Sequence, residues 1–262
     1  MNSPVILWIG IIASALCYYA AFAFTFFDKD KNIGGRGGKT RVWAVWMVGQ
    51  AFNLFLIVNN YFINGYVPFI SMFQVLIFLS ACFMPACLYV KYVGKCKGYE
   101  RYFLFAAAFA MTGPLFMDKN AAWTYPPALQ SPFFVPHILV YMISYTLAVV
   151  ACIITVVRLI KHKEDDGAAY YCVRTLFPFM TCGMFFGAIW ADQVWGEFWS
   201  WDIKECWSLV SWLVYMLYLH CYRRKSLKKY CPALAIAGTV FVIITFFFAN
   251  VVGGGSNHSY TG

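Results

Sequence analysis

The sequence predicts an all-α fold, a polytopic transmembrane helix bundle of about eight spans with both termini on the outer side. Three observations carry the prediction. The 262 residues are 62% hydrophobic and only 12% charged, against about 25% charged in a soluble domain, so there is too little polar surface to cover a water-soluble globule. The apolar residues come in blocks long enough to cross a bilayer as helices, which takes roughly 20 residues each. They do not alternate in polarity over about ten residues, as barrel strands do. Finally, the basic residues gather on alternate loops. No linker and no internal repeat divides the chain, which reads as one integral membrane domain, 1–262.

The elements follow in order. The first block, 5–27, has no basic leader and no small-residue cleavage site, and is read as a retained helix rather than a signal peptide. Blocks follow at 42–62 and 70–92. The fourth, 102–117, is short at about 16 residues, or roughly 24 Å of helix, and contains Gly113-Pro114. The remaining blocks are 137–160, 175–191, 206–222 and 231–252. Pro85 and Pro178 fall inside blocks and are expected to bend their helices.

Orientation comes from Lys and Arg, which mark cytoplasmic loops. The loop after the first block holds Lys29, Lys31, Arg36, Lys39 and Arg41, and the loop after the third holds Lys91, Lys95, Lys97 and Arg101. Arg158, Lys161, Lys163 and Arg174 flank the loop after the fifth, and Arg223, Arg224, Lys225, Lys228 and Lys229 follow the seventh. These are 18 of the 20 basic residues. The net charge of +9 is therefore a topology signal and does not indicate a nucleic-acid partner. The opposite, outer side carries Asp118, Asp192, Glu197, Asp202 and Glu205 against Lys119 and Lys204. None of the ten Cys forms a C-x-x-C pair, and they read as small buried hydrophobes without a disulfide framework.

The outer segment 192–205 is unusual. Trp190, Trp195, Trp199, Trp201, Trp207 and Trp212 are six of the ten Trp in the chain, and the run reads WGEFWSWDIKECW. An aromatic belt draws Trp from every helix at both interfaces, whereas this run is one loop on one side. Trp195 and Trp199 lie four apart and would share a face if helical, forming an aromatic shelf with Gly196 allowing close approach and Asp202, Lys204 and Glu205 beside it. Haem, a quinone or a lipid would each suit such a surface.

Only four His are present. His162 lies in the charged segment KHKEDD and reads as solvated surface. A lone His at a helix end is more often structural than a ligand. His137, after Pro136, and His258, in GGGSNHSY, are nevertheless expected on the same side as the Trp run. Neutral imidazole is a favoured axial ligand of haem iron, and two imidazoles from opposite sides would hold one iron against the shelf. Gly253, Gly254 and Gly255 would let the tail turn His258 inward. His220, in YLHCYRR, is a polar group at the end of a span: functional by default, or reaching cytoplasmic headgroups.

The run WADQVWGEFWSWDIKECWSLVSWLVYMLYLH resembles the tryptophan-rich WWD signature of haem-handling proteins, here over about 190–212. It is most similar to the CcsA (ResC) family of system II cytochrome c biogenesis, whose pattern is close to W-G-x-x-W-x-W-D-P-K-E-x-W, followed by x-x-W-x-x-Y-x-x-Y-L-H. Trp195, Gly196, Trp199, Trp201, Asp202, Lys204, Glu205, Trp207, Trp212, Tyr215, Tyr218, Leu219 and His220 match, and Ile203 stands where the pattern has Pro. ALQSPFFVPH at 128–137 and the closing NHSY resemble the segments holding the family's two outer His. GYVPFISMFQVL at 65–76 matches a further family stretch at Gly65, Pro68 and Leu76, with Gln74 in place of Glu. The CcmC and CcmF branches of system I share the Trp core but lack the continuation after the Asp.

The resemblance implies haem b as bound substrate, with His137 and His258 as axial ligands and Trp195, Trp199, Trp201, Asp202 and Trp207 as the platform. His220 would belong to an earlier haem site within the membrane, completed by a CcsB (ResB)-like partner. The chain would be a subunit of a holocytochrome c synthase that links haem to the C-x-x-C-H cysteines of an apocytochrome c, with thiol-reducing partners and membrane lipid around it. The expected location is a bacterial inner membrane with the active face periplasmic, ahead of a chloroplast thylakoid, which the orientation alone fits equally. Two alternatives come from other classes. A b-type haem electron-transfer protein needs paired mid-membrane His, and only His220 is even partly in a span. A membrane transporter would carry charges inside its spans, and none is clearly mid-span here.

Overall fold

The computed structural model describes residues 4–27, 36–117 and 127–248, so His258 lies outside the described residues. These residues form eight α-helices and no strand. They are α1 (Pro4–Phe27), α2 (Arg36–Asn64), α3 (Met72–Tyr92), α4 (Glu100–Thr112), α5 (Phe134–Ile160), α6 (Ala168–Trp195), α7 (Ile203–Tyr222) and α8 (Cys231–Ile243). Each predicted block contains one of these α-helices over its described residues. Among the described residues, six helices are long and apolar enough to cross a membrane by length and composition, namely α1, α2, α3, α5, α6 and the stretch Lys228–Phe247 that contains α8.

The boundaries differ from the apolar blocks for local reasons. α4 stops at Thr112, and Gly113–Phe116 continues it as a 3₁₀ turn with Pro114 in its first positions. α5 begins at Phe134, ahead of its block, because Pro136 sits in the first turn, where a missing N–H breaks no helical bond. α6 runs on to Trp195. Pro85 and Pro178 lie inside α3 and α6, which both continue through them.

The described residues fall into two compact units, Met1–Pro126 and Pro127–Gly262. In the first, α1 packs on α2 and α4, and α3 packs on the same two helices, closing a ring of four. Lipid is as apolar as a leucine side chain, so close packing and interhelical hydrogen bonds hold such a ring together. Here Tyr18 Oη donates to Gln50 Oε1 (3.0 Å) and Asn53 Nδ2 donates to Ser80 Oγ (2.6 Å), tying α1 to α2 and α2 to α3. Ser80 Oγ in turn reaches Met111 Sδ of α4.

The second unit repeats that order of packing: α5 lies on α6 and α8, and α7 lies on α6 and α8. Thr239 Oγ1 of α8 donates to the Ala148 carbonyl of α5 (3.0 Å) and pairs with Tyr215 Oη of α7 (2.9 Å). Trp212 Nε1 of α7 donates to Thr181 Oγ1 of α6 (2.9 Å). All the described candidate site residues lie in this unit.

Candidate functional site

The α5–α6 contact is built on two glycines one helical turn apart. Gly183 and Gly187 of α6 face Tyr141 and His137 of α5. A Cβ at Gly183 would lie 2.8 Å from the Tyr141 ring, and one at Gly187 would lie 2.6 Å from His137 Cε1 and Nδ1. Any side chain at either position would expel the ring that fills the notch. The notch holds His137 so that its Nδ1 meets the Gly183 carbonyl oxygen at 2.8 Å. A carbonyl oxygen only accepts, so Nδ1 carries the proton and the neutral ring has its lone pair on Nε2. This is the arrangement in which a metal-ligating imidazole is usually oriented by its other nitrogen.

Aromatic rings box His137 further. Tyr141 packs at 5.0 Å, edge to face, and Trp190 at 5.6 Å. Trp190 is 2% exposed, and its Nε1 donates to the Ala128 carbonyl at 2.7 Å. Trp195 packs edge-on against Trp190 at 5.1 Å. His137, Trp190 and Trp195 thus form one connected group. Gly183, Gly187 and Tyr141 were not among the residues singled out from sequence, although G-M-F-F-G at 183–187 carries the small-x-x-x-small signal of close helix approach; Trp190 was noted only as the first member of the Trp run.

The rest of the Trp run is not one helical face. α6 ends at Trp195 because Gly196 takes a left-handed conformation (φ 78°) and its N–H bonds the Asp192 carbonyl (2.9 Å). Trp199 therefore lies in the loop 196–202, and the shared helical face expected for Trp195 and Trp199 does not form. Trp199 and Trp201 pack edge to face at 5.9 Å. Trp201 is 69% exposed and holds φ 59°, a left-handed backbone that side chains other than Gly adopt at a cost. Trp199 Nε1 is buried and finds no acceptor among the described residues. A buried N–H without a partner costs about 1–3 kcal/mol, so this donor fits a bound acceptor such as a carboxylate. Trp207 stacks on Phe241 of α8 at 5.5 Å, within the bundle.

Asp202 caps α7. It accepts from Glu205 N (2.8 Å), while Glu205 Oε2 accepts from Ser200 N (2.8 Å) and Asp202 N (3.3 Å). The D-x-K-E part of the motif is thus a reciprocal capping box. Ile203 occupies the first helical position of α7, where Pro is favoured but not required, so the departure from Pro leaves the turn intact. Gln74 behaves likewise: with Ser71 it forms the capping box of α3, as a Glu would. Lys204, ahead of the apolar block 206–222, is held mostly out of solvent, and burial pulls its ammonium down to about 8 against the upward pull of Asp202. His220 is exposed in the last turn of α7, at the opposite end of that helix from the Trp loop.

A family model described as cytochrome c assembly protein matches residues 42–256. The chain is 33% identical to the cytochrome c biogenesis protein CcsA of Chlamydomonas reinhardtii over 222 residues, covering 75% of this chain and 62% of that one, less than two thirds of its length. It is 27% identical to CcsA of Porphyra purpurea, covering 96% of this chain and 94% of that one, and 28% identical to CcsA of Guillardia theta, covering 97% and 94%.

Proposed function

The chain belongs to the cytochrome c assembly protein family, with CcsA proteins among its relatives, and from that premise we propose that it holds haem at the Trp-rich end of its second unit for attachment to an apocytochrome c. The observation that carries this reading is the seating of His137. The Gly183–Gly187 notch and the Gly183 carbonyl fix a ring whose Nε2 has the lone pair an axial ligand needs. His258 is the second ligand on the grounds of sequence. Trp199 Nε1 supplies a donor suited to a propionate carboxylate, Trp195 and Trp201 form the aromatic surface with Trp207 backing it from the bundle through Phe241, and Asp202 fixes the loop beside them.

Attachment adds each cysteine S–H of a C-x-x-C-H segment across one vinyl double bond, sulfur to one carbon and hydrogen to the other. No net electrons are consumed if iron and thiols are already reduced. The protein's task is then positioning and exclusion of water around the iron. The apocytochrome histidine must displace one axial ligand. His137 is locked in its notch, so His258 is the ligand that leaves; equal loss of haem during transfer from His137→Gly and His258→Gly proteins would sink that step. His220 lies 17 residues along α7 from Ile203, roughly 26 Å at 1.5 Å per residue. It is too far away to share that iron, and the family resemblance assigns it to a separate haem site within the membrane, completed by a CcsB-like partner.

The test is a reduced-minus-oxidised spectrum of the detergent-purified chain with its partner. Wild type should show bis-imidazole haem. The double variant His137→Gly, His258→Gly should lose it and regain it with added imidazole. A colourless wild type at full partner occupancy overturns the reading in favour of a transporter.

A further inference from the structure

At the end of the second unit away from the Trp loop lies a cavity of about 310 Å³ between α5, α7 and the start of α8. Its size is at the lower end for small-molecule sites, roughly 300–1,000 Å³. Thr155, Arg158, Asp165, Tyr218, Lys228 and Lys229 line it, and the first turn of α8 closes one side. Three cations thus face one carboxylate. Asp165 accepts from Arg158 Nη1 at 2.5 Å and from Lys228 Nζ at 3.1 Å, so it orients both cations while neutralising only one of the three charges. Lys228 also sits 4.3 Å over the ring of Tyr222, which stacks flat on Tyr170 at 4.0 Å. The basic wall is therefore built in advance.

The surroundings are apolar. Leu159, Ile160, Leu227 and Tyr230 are exposed at the same helix ends. The adjoining segment adds Arg223, Arg224 and Lys225. A preformed cationic cavity at the end of membrane helices, rimmed by exposed apolar side chains, suits an amphiphile with an anionic head and hydrocarbon tails. Basic pockets between membrane helices take such headgroups.

We infer that this cavity binds the phosphodiester headgroup of an anionic phospholipid, with Arg158, Lys228 and Lys229 on the phosphate and the acyl chains along the apolar rim. The site is separate from the Trp loop.

The test is thermal melting of the purified full chain in a neutral detergent, titrated with phosphatidylglycerol. Phosphatidylcholine serves as the zwitterionic control and inorganic phosphate as the free-anion control. The expected result is a saturable rise in Tm with phosphatidylglycerol alone. Replacing Lys228 and Lys229 by Gln should weaken its apparent Kd about 30-fold, or about 2 kcal/mol at about 1 kcal/mol per basic residue. Equal shifts with phosphatidylcholine, or unchanged affinity in the Lys228→Gln, Lys229→Gln protein, would overturn the site. Saturation by inorganic phosphate at the same concentrations would overturn the lipid assignment. Should the double variant not fold, Lys229→Gln alone, which leaves the Asp165 pairs intact, is titrated in its place. A severalfold weakening supports the site, and none overturns it.

Discussion

At the scale of single residues, the site rests on atoms that hydropathy does not report. Gly187→Ala places a methyl group where the His137 ring now lies, an overpacking that costs about 1–3 kcal/mol and moves the imidazole. It should abolish the haem spectrum while the protein still purifies. Gly196→Ala has nothing within 4 Å of its new Cβ, only a left-handed φ of 78° to oppose. It should cost about 1 kcal/mol of stability, seen as a lower melting temperature, and leave haem content near wild type. Asp165 gives a pH prediction. Burial alone would raise its carboxyl pKa, but the Gly167 N–H, Lys228, Tyr222 and Arg158 outweigh that and hold it below its ordinary value. A carboxyl lowered in the folded state adds stability above its unfolded pKa of about 3.9, and that stability is lost as pH falls through the lowered value. Melting temperature should therefore drop more steeply below about pH 4 in wild type than in Asp165→Asn.

At the scale of elements, the Trp loop is short and clamped at both ends, by Gly196 on α6 and by the Asp202–Glu205 box on α7. Asp202→Ala should cost about 1 kcal/mol, whereas Asp202→Asn keeps the capping oxygen. If Asp202 acts only as a cap, the Asn variant retains cytochrome c maturation; if its charge meets the ligand, activity falls while melting temperature holds. A single Gly inserted after Phe198 should abolish maturation, since Trp199 and Trp201 would lose their register against the clamps. All eight helices were legible from apolar blocks, because length and hydropathy are what a bilayer demands. Helix ends were not: α6 loses its apolar character at Asp192 but stops only where Gly196 permits a left-handed cap. The expected Trp195–Trp199 face failed for that reason. The notch for His137 was written as G-x-x-x-G at 183–187, yet its meaning depends on which helix lies opposite, and a single sequence does not say. His137 and the Trp run were found because their residue types carry chemistry. The orphan donor of Trp199 needed coordinates.

At the scale of the whole molecule, the basic residues predict which loops share a side. Single reporter cysteines placed by Lys97→Cys and Glu197→Cys, in a chain with its native cysteines replaced, should be labelled by an impermeant thiol reagent from opposite faces of the membrane. Labelling from one face would reverse the assignment of one loop. The closed rings formed by α1 to α4 and by α5 to α8 have a genetic consequence. Each ring joins its first helix to its last, so the peptide bond between Pro126 and Pro127 completes neither. With all four apolar blocks of each half read as spans, each half begins and ends on the same side and keeps its polarity when translated separately. A gene split at that bond should therefore be tolerated, and two co-expressed half-proteins should restore cytochrome c maturation in a strain lacking the intact gene.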